Sequence, residues 1–227
     1  MKILQRFVLV ISLLVPFSAQ AELLWEFTLH TRYMALGDSL TAGYGAVPAT
    51  EGYVYLLYRS GVFDAVPGTI LSNAGVPSAT TQHVLHHQVP QAIEAFQPDV
   101  ITLSVGGNDI LRILSGADPN QVLLEFASNL TQILGQLRAS LPSARIYISN
   151  FYTIAEIPGA DFAVPVFNSV LATVASAYDV PVADVYSAFQ GKQGLLLIKR
   201  HGADQLEVHP TNAGHRAIAA AFKAVIE

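Results

Sequence analysis

The chain has 227 residues, 52% of them hydrophobic, enough apolar material for a sizeable core within one domain. Its 12 basic and 17 acidic side chains give a formal charge of −5, a balance that disfavours nucleic acid and anionic membrane as partners, both being polyanions. Cysteine is absent, which excludes disulfides, thiolate metal sites, a cysteine nucleophile and a lipidated N-terminal cysteine.

In chain order, Lys2 and Arg6 precede an apolar stretch from Phe7 to about Phe17. Ser18-Ala19-Gln20-Ala21 follows, with small residues at the two positions a signal peptidase reads. Residues 1–21 are therefore expected to be a secretory signal removed after Ala21, with residues 22–227 as the exported domain, periplasmic or secreted. The stretch is well short of the ~20 residues a spanning helix needs, so no integral membrane segment is expected once it is gone. Short β-rich runs come next, at Arg32 to Leu36, Thr69 to Ser72, Val100 to Val105, Arg145 to Ser149 and Val180 to Asp184. Helix-like stretches separate them, at Tyr53 to Ser60, Thr81 to Phe96, Asn120 to Leu141 and Phe162 to Tyr178, and a last one runs from near Asn212 to Ile226. The clearest is the third, where Leu123, Phe126, Leu130, Ile133, Leu134 and Leu137 recur every three or four residues.

Strands alternating with helices imply a five-stranded parallel sheet covered by helices on both faces, since right-handed crossovers place them there. Ligands of such sheets sit at the carboxyl ends of the strands, so a functional residue should lie just after a strand. Four stretches do. Ser39 follows the first strand through Gly37, in Gly37-Asp38-Ser39-Leu40. Ser72-Asn73-Ala74-Gly75 follows the second, and Val105-Gly106-Gly107-Asn108-Asp109 the third. Near the end, Pro210 restricts His209 to an extended conformation ahead of the last helix.

A serine hydroxyl is a weak nucleophile that needs a base within hydrogen-bond reach, which His209 can supply. The oxyanion formed by attack on a carbonyl needs fixed donors, for which the N–H of Ser39, the N–H of Gly75 and the side-chain amide of Asn108 are candidates. Together these make a complete site for acyl transfer.

These four stretches, in this order, resemble the sequence blocks of the SGNH hydrolases, also called GDSL esterases/lipases, and span residues 37–210. The resemblance implies a flavodoxin-like three-layer α/β/α sandwich and hydrolysis of carboxylic esters or thioesters. It casts Ser39 as nucleophile, His209 as base, and Ser39, Gly75 and Asn108 as the oxyanion hole. The family pattern has an aspartate three residues before the histidine; here that position is Leu206. Glu207 and Asp204 are the nearby carboxylates, Glu207 being two residues from His209 and so on the same side of an extended segment. A backbone carbonyl orienting the imidazole, leaving a Ser-His dyad, is the third arrangement.

The segments after the first and fourth strands supply Tyr44, Val47, Phe151, Ile154 and Ile157 as an apolar wall for an acyl chain or aryl group. No insertion is long enough for a lid domain, so short to medium esters or lysophospholipids suit the site. His83, His86 and His87 cluster on the second helix and read as a solvated face rather than a metal shell. Asp109 is expected to cap the helical turn after the glycines. No metal or cofactor is required. The same site would also serve a carbohydrate O-deacetylase or an acyltransferase, and the remoter alternative is a non-enzymatic binding protein on this scaffold.

Overall fold

The computed structural model describes residues 30–63, 68–201 and 205–226; the expected signal segment lies outside the described residues. Five parallel strands form the central sheet: β1 (Arg32–Gly37), β2 (Ile70–Asn73), β3 (Val100–Ser104), β4 (Arg145–Ser149) and β5 (Val182–Ala183). Their order is β2-β1-β3-β4-β5, with β1 and β3 in the middle. The last strand is shorter than the run from Val180 to Asp184 suggests. Pro181 has no N–H to give a ladder, and Asp184 already turns away to cap the helix behind it through Ser187 N–H at 3.1 Å.

The helices between the strands are α1 (Ser39–Ala42), α2 (Tyr53–Arg59), α3 (residues 81–96), α4 (Gly107–Leu114), α5 (Pro119–Ser140), α6 (Ala160–Ala177), α7 (Val185–Phe189) and α8 (Asn212–Ile226). Period-2 alternation splits the strands between two cores. Met34, Leu36, Ile101, Leu103, Ile146 and Ile148 face α3, α5 and α6. Tyr33, Ala35, Val100 and Tyr147 face α2 and α8. Both faces of the sheet are thus covered, which is why its strands read as continuous apolar runs. The apolar period along α5 turns Val122, Phe126, Leu130, Ile133, Leu134 and Leu137 inward. By length and composition α6 could cross a membrane, but here Val164, Phe167, Leu171 and Ala175 pack into the core.

Three features depart from the sequence reading. α3 starts as an α-helix at Thr81–His83 and widens to π-type turns over Val84–Gln88 and Gln91–Phe96. α4 is a helix of 8 residues where the sequence reading places a helical turn after the glycines. A separate antiparallel pair, β6 (Leu196–His201) and β7 (Gln205–Pro210), carries His209 opposite Leu197.

Candidate active site

The turn that presents Ser39 is built from its neighbours. β1 ends at Gly37, whose φ of +147° suits only glycine; a Cβ there would strike the Ser104 carbonyl oxygen. Buried Gln88, on the widened part of α3, accepts the Gly37 N–H at 2.7 Å through Oε1 and donates to the Gly37 carbonyl at 2.8 Å through Nε2. Asp38 caps α1, its Oδ1 accepting the Leu40 N–H at 2.9 Å. Thr41 Oγ1 meets the Tyr53 hydroxyl at 2.9 Å and so pins α1 to α2. As the first residue of α1, Ser39 has an N–H with no acceptor inside its own helix.

His209 reaches this turn from β7, and its Nε2 lies 3.0 Å from Ser39 Oγ. With Nε2 bare, the ring can accept the hydroxyl proton. The Tyr44 ring packs against the imidazole at a centroid distance of 5.4 Å. Ser39, His209 and Asn108 line one cavity of about 330 Å³. Its wall is apolar, formed by Ile110, Leu111, Phe151, Ile154, Ile157 and Val164, and the hydroxyls of Ser104 and Ser149, 3.0 Å apart, lie at the strand ends. Asn108 Nδ2 spends one hydrogen on the Ala79 carbonyl at 2.9 Å. An amide carries two, so the second is left for the cavity.

Of the expected pocket residues, Tyr44, Phe151, Ile154 and Ile157 line the cavity. Val47 does not. Its backbone N–H and carbonyl are both held by the Asn212 side chain, and the side chain is 77% exposed. Gly75 sits beside α1, outside the cavity lining, and its N–H is donated to Asn73 Oδ1 at 3.0 Å. In this state it is already engaged. Asp109 does not cap α4: its carboxylate crosses to the start of α3, accepting the Thr81 N–H at 2.9 Å and the Thr81 hydroxyl at 2.6 Å. His86 and His87 are exposed, a solvated face as read. Asp204 and the side chain of Glu207 lie outside the described residues, and with them the carboxylate candidates for Nδ1.

Sequence reasoning missed Leu111, Ile110 and the paired serines as cavity residues. The first two lie on α4, which extends the helical turn expected after the glycines. The serines end strands that bury both faces, and a terminal position on a buried parallel strand was the available signal. Burial, with like-charged Asp109 adding to it, pushes the Asp38 carboxyl up to about 7 against the pull of the Leu40 N–H. Burial also raises Asp109, against its hydrogen bonds from Thr81. Two carboxyls reluctant to ionise therefore lie beneath the nucleophile.

The chain is 28% identical over 210 residues to the spore germination lipase LipC of Bacillus licheniformis, covering 85% of this chain and 95% of that one. The lipase Lip_vut3 from a goat rumen metagenome superposes with a TM-score of 0.69 at 27% identity, over 86% of this chain and 97% of its own. An acetyl-xylooligosaccharide esterase from Geobacillus shares the fold, with a TM-score of 0.67 at 23% identity over 87% of this chain and 95% of that one. Residues 35–217 match the model of the GDSL-like lipase/acylhydrolase family, and the chain belongs to that family as a carboxylic ester hydrolase.

Proposed function

We propose that this protein is an exported serine esterase acting on esters with short to medium acyl chains or aryl groups, lysophospholipids and thioesters being within its chemical range. The observation that carries the reading is the 3.0 Å approach of His209 Nε2 to Ser39 Oγ at an apolar cavity of about 330 Å³. In the first half-reaction Ser39 Oγ forms a bond to the ester carbonyl carbon while His209 takes the hydroxyl proton. The tetrahedral oxyanion is met by the Ser39 N–H and Asn108 Nδ2, with the Gly75 N–H joining if it turns from Asn73 Oδ1. The C–O bond to the alcohol then breaks, and His209 returns the proton to the departing oxygen. Water, deprotonated by His209, next attacks the acyl-enzyme, and Ser39 recovers its proton.

An apolar wall of Phe151, Ile154, Ile157 and Val164 favours an acyl chain longer than acetyl over a carbohydrate O-deacetylase. Export rests on the charged, apolar and small-residue order of residues 1–21, and N-terminal sequencing of the secreted protein should begin at Glu22. The decisive experiment pairs Ser39→Ala with a fluorophosphonate probe. The parent should hydrolyse p-nitrophenyl butyrate and become labelled at Ser39. The variant should do neither while keeping its circular dichroism spectrum. Hydrolysis by the variant within tenfold of the parent would reject the assignment.

A further inference from the structure

Ser39 and His209 are 170 residues apart in sequence. Their 3.0 Å contact is supported by a second set of bonds between the segments that follow each of them. The loop after α1, residues 43–48, lies against the first turn of α8, which begins just past His209-Pro210. Asn212 Oδ1 accepts the Val47 N–H at 2.8 Å, and Asn212 Nδ2 donates to the Val47 carbonyl at 2.6 Å. One turn on, His215 is fully buried. Its Nε2 meets the Tyr44 carbonyl at 2.7 Å and its Nδ1 meets the Tyr53 N–H at 3.3 Å. Between these contacts, Gly45 lies so close to the end of β7 that a Cβ would strike the Pro210 carbonyl oxygen. Tyr44 completes the arrangement by packing its ring on His209.

These partners leave His215 one protonation state. A carbonyl only accepts and a backbone amide only donates, so Nε2 carries the hydrogen and Nδ1 is bare. A second proton would set Nδ1–H against the Tyr53 N–H. We propose that His215 is a positioning residue for catalysis: in its neutral Nε2–H form it holds the Tyr44 loop against His209, and on protonation it releases that loop and disengages the base from Ser39. The inference rests on the assignment of Ser39 and His209 made above.

The surroundings agree. Burial lowers the His215 pKa, and the neighbouring His209 lowers it further, while the Tyr44 carbonyl opposes both. The titratable groups facing the ring are Tyr53 from α2, stacked at 6.5 Å and kept protonated by its own burial, Tyr44 from the loop, and His209 from β7. At the surface of the same junction Glu51 pairs with Arg59 at 3.2 Å and with Arg216 at 3.5 Å.

The test is a pH profile of kcat/KM for p-nitrophenyl butyrate, measured on the full mature chain where circular dichroism shows it folded. If both imidazoles must be neutral, the acid limb steepens from a slope of one to a slope of two. Glutamine can donate to the Tyr44 carbonyl and accept the Tyr53 N–H without titrating, so His215→Gln should keep a limb of slope one throughout. His215→Leu offers neither bond and should lower kcat by ~10²-fold with little change in KM, as a displaced catalytic group does. A parent limb of slope one, or equal limbs in parent and His215→Gln, would overturn the proposal. So would a His215→Leu kcat within threefold of the parent.

A readout independent of turnover separates this from failure of the catalytic assignment. Long-range ¹H–¹⁵N spectra of the parent and of Ser39→Ala should both report His215 as a neutral Nε2–H ring at pH values where an exposed histidine is already protonated. A ring that titrates as an exposed histidine does would overturn the proposal even if Ser39 is the nucleophile.

Discussion

Asp38 combines two roles that pull against each other. Its carboxylate caps the helix bearing Ser39, yet the site is buried and shared with Asp109, so the proton is held up to about 7. The unfolded chain releases that proton near ~3.9. Between those values the folded state binds more protons than the unfolded one, so this group's contribution to stability is full below about 4 and is lost as pH rises through about 7. Asparagine caps a helix as well as aspartate and has no proton to lose. Asp38→Asn should therefore remove a pH-dependent loss of ~2–3 kcal/mol between pH 5 and pH 8. Its Tm relative to the parent should climb across that range in thermal melts; a constant difference would refute the account. Asn108 tests the other side of the nucleophile. Because one of its two amide hydrogens is fixed on the Ala79 carbonyl, the second is held in place before any charge develops. Asn108→Ala should lower kcat by ~10²–10³ with KM little changed. A loss under tenfold would remove the amide from the oxyanion hole.

Among the elements, α3 has a part in the site that its distance along the chain conceals. At the end of β1, Gln88 supplies the acceptor for the Gly37 N–H and a second donor to the Gly37 carbonyl, which also takes the Val76 N–H at 3.1 Å. Gln88→Leu keeps a similar volume but strands the Gly37 N–H away from water and leaves its carbonyl with the Val76 N–H alone, at a cost of ~1–3 kcal/mol, so urea should unfold the variant at a clearly lower concentration. An unchanged midpoint would mean that water or a shifted backbone replaces the amide. The same contact shows where sequence reasoning stops. The strands were legible because most are aliphatic runs inside a covered sheet, Ser39 and Asn108 because each is a reactive type just beyond a glycine turn, and His209 because Pro210 follows it. Gln88 was not, since residues 81–96 have ordinary helical spacing and the widening into π-type turns depends on what the side chains meet across 51 residues. The length of α4 was hidden by Gly106 and Gly107, whose turn chemistry masked the apolar positions after them. Val47 was misread for a related reason. Its outward direction is set by Asn212, 165 residues away, and no local pattern contains that bond.

At the scale of the molecule, the two reacting side chains belong to elements of unequal security. Ser39 hangs from β1, paired on both sides within a five-stranded sheet whose neighbouring strand β3 is buried throughout. His209 stands on a two-stranded ribbon, an element marginal in water without packing against other structure. The ribbon is tied at its base, where the Thr211 N–H reaches the Leu195 carbonyl at 2.8 Å and the Thr211 hydroxyl the Gly194 carbonyl at 2.8 Å. Opening the ribbon breaks its ladder, those bonds and its contacts with Ser39, Tyr44 and the edge of one core, whereas opening the sheet breaks both cores, so the first should happen at a lower free energy. Hydrogen exchange should be faster at the ladder amides of Leu197 and His209, which face each other in the ribbon, than at those of Ile101 and Leu103, by more than intrinsic rates explain. Hydrolysis of p-nitrophenyl butyrate should likewise fail at a urea concentration below that of the circular dichroism transition, because the base leaves while the nucleophile's sheet is intact. Coincident loss of activity and helix, with equal protection in ribbon and sheet, would mean that the ribbon is held to the parallel sheet as one cooperative unit.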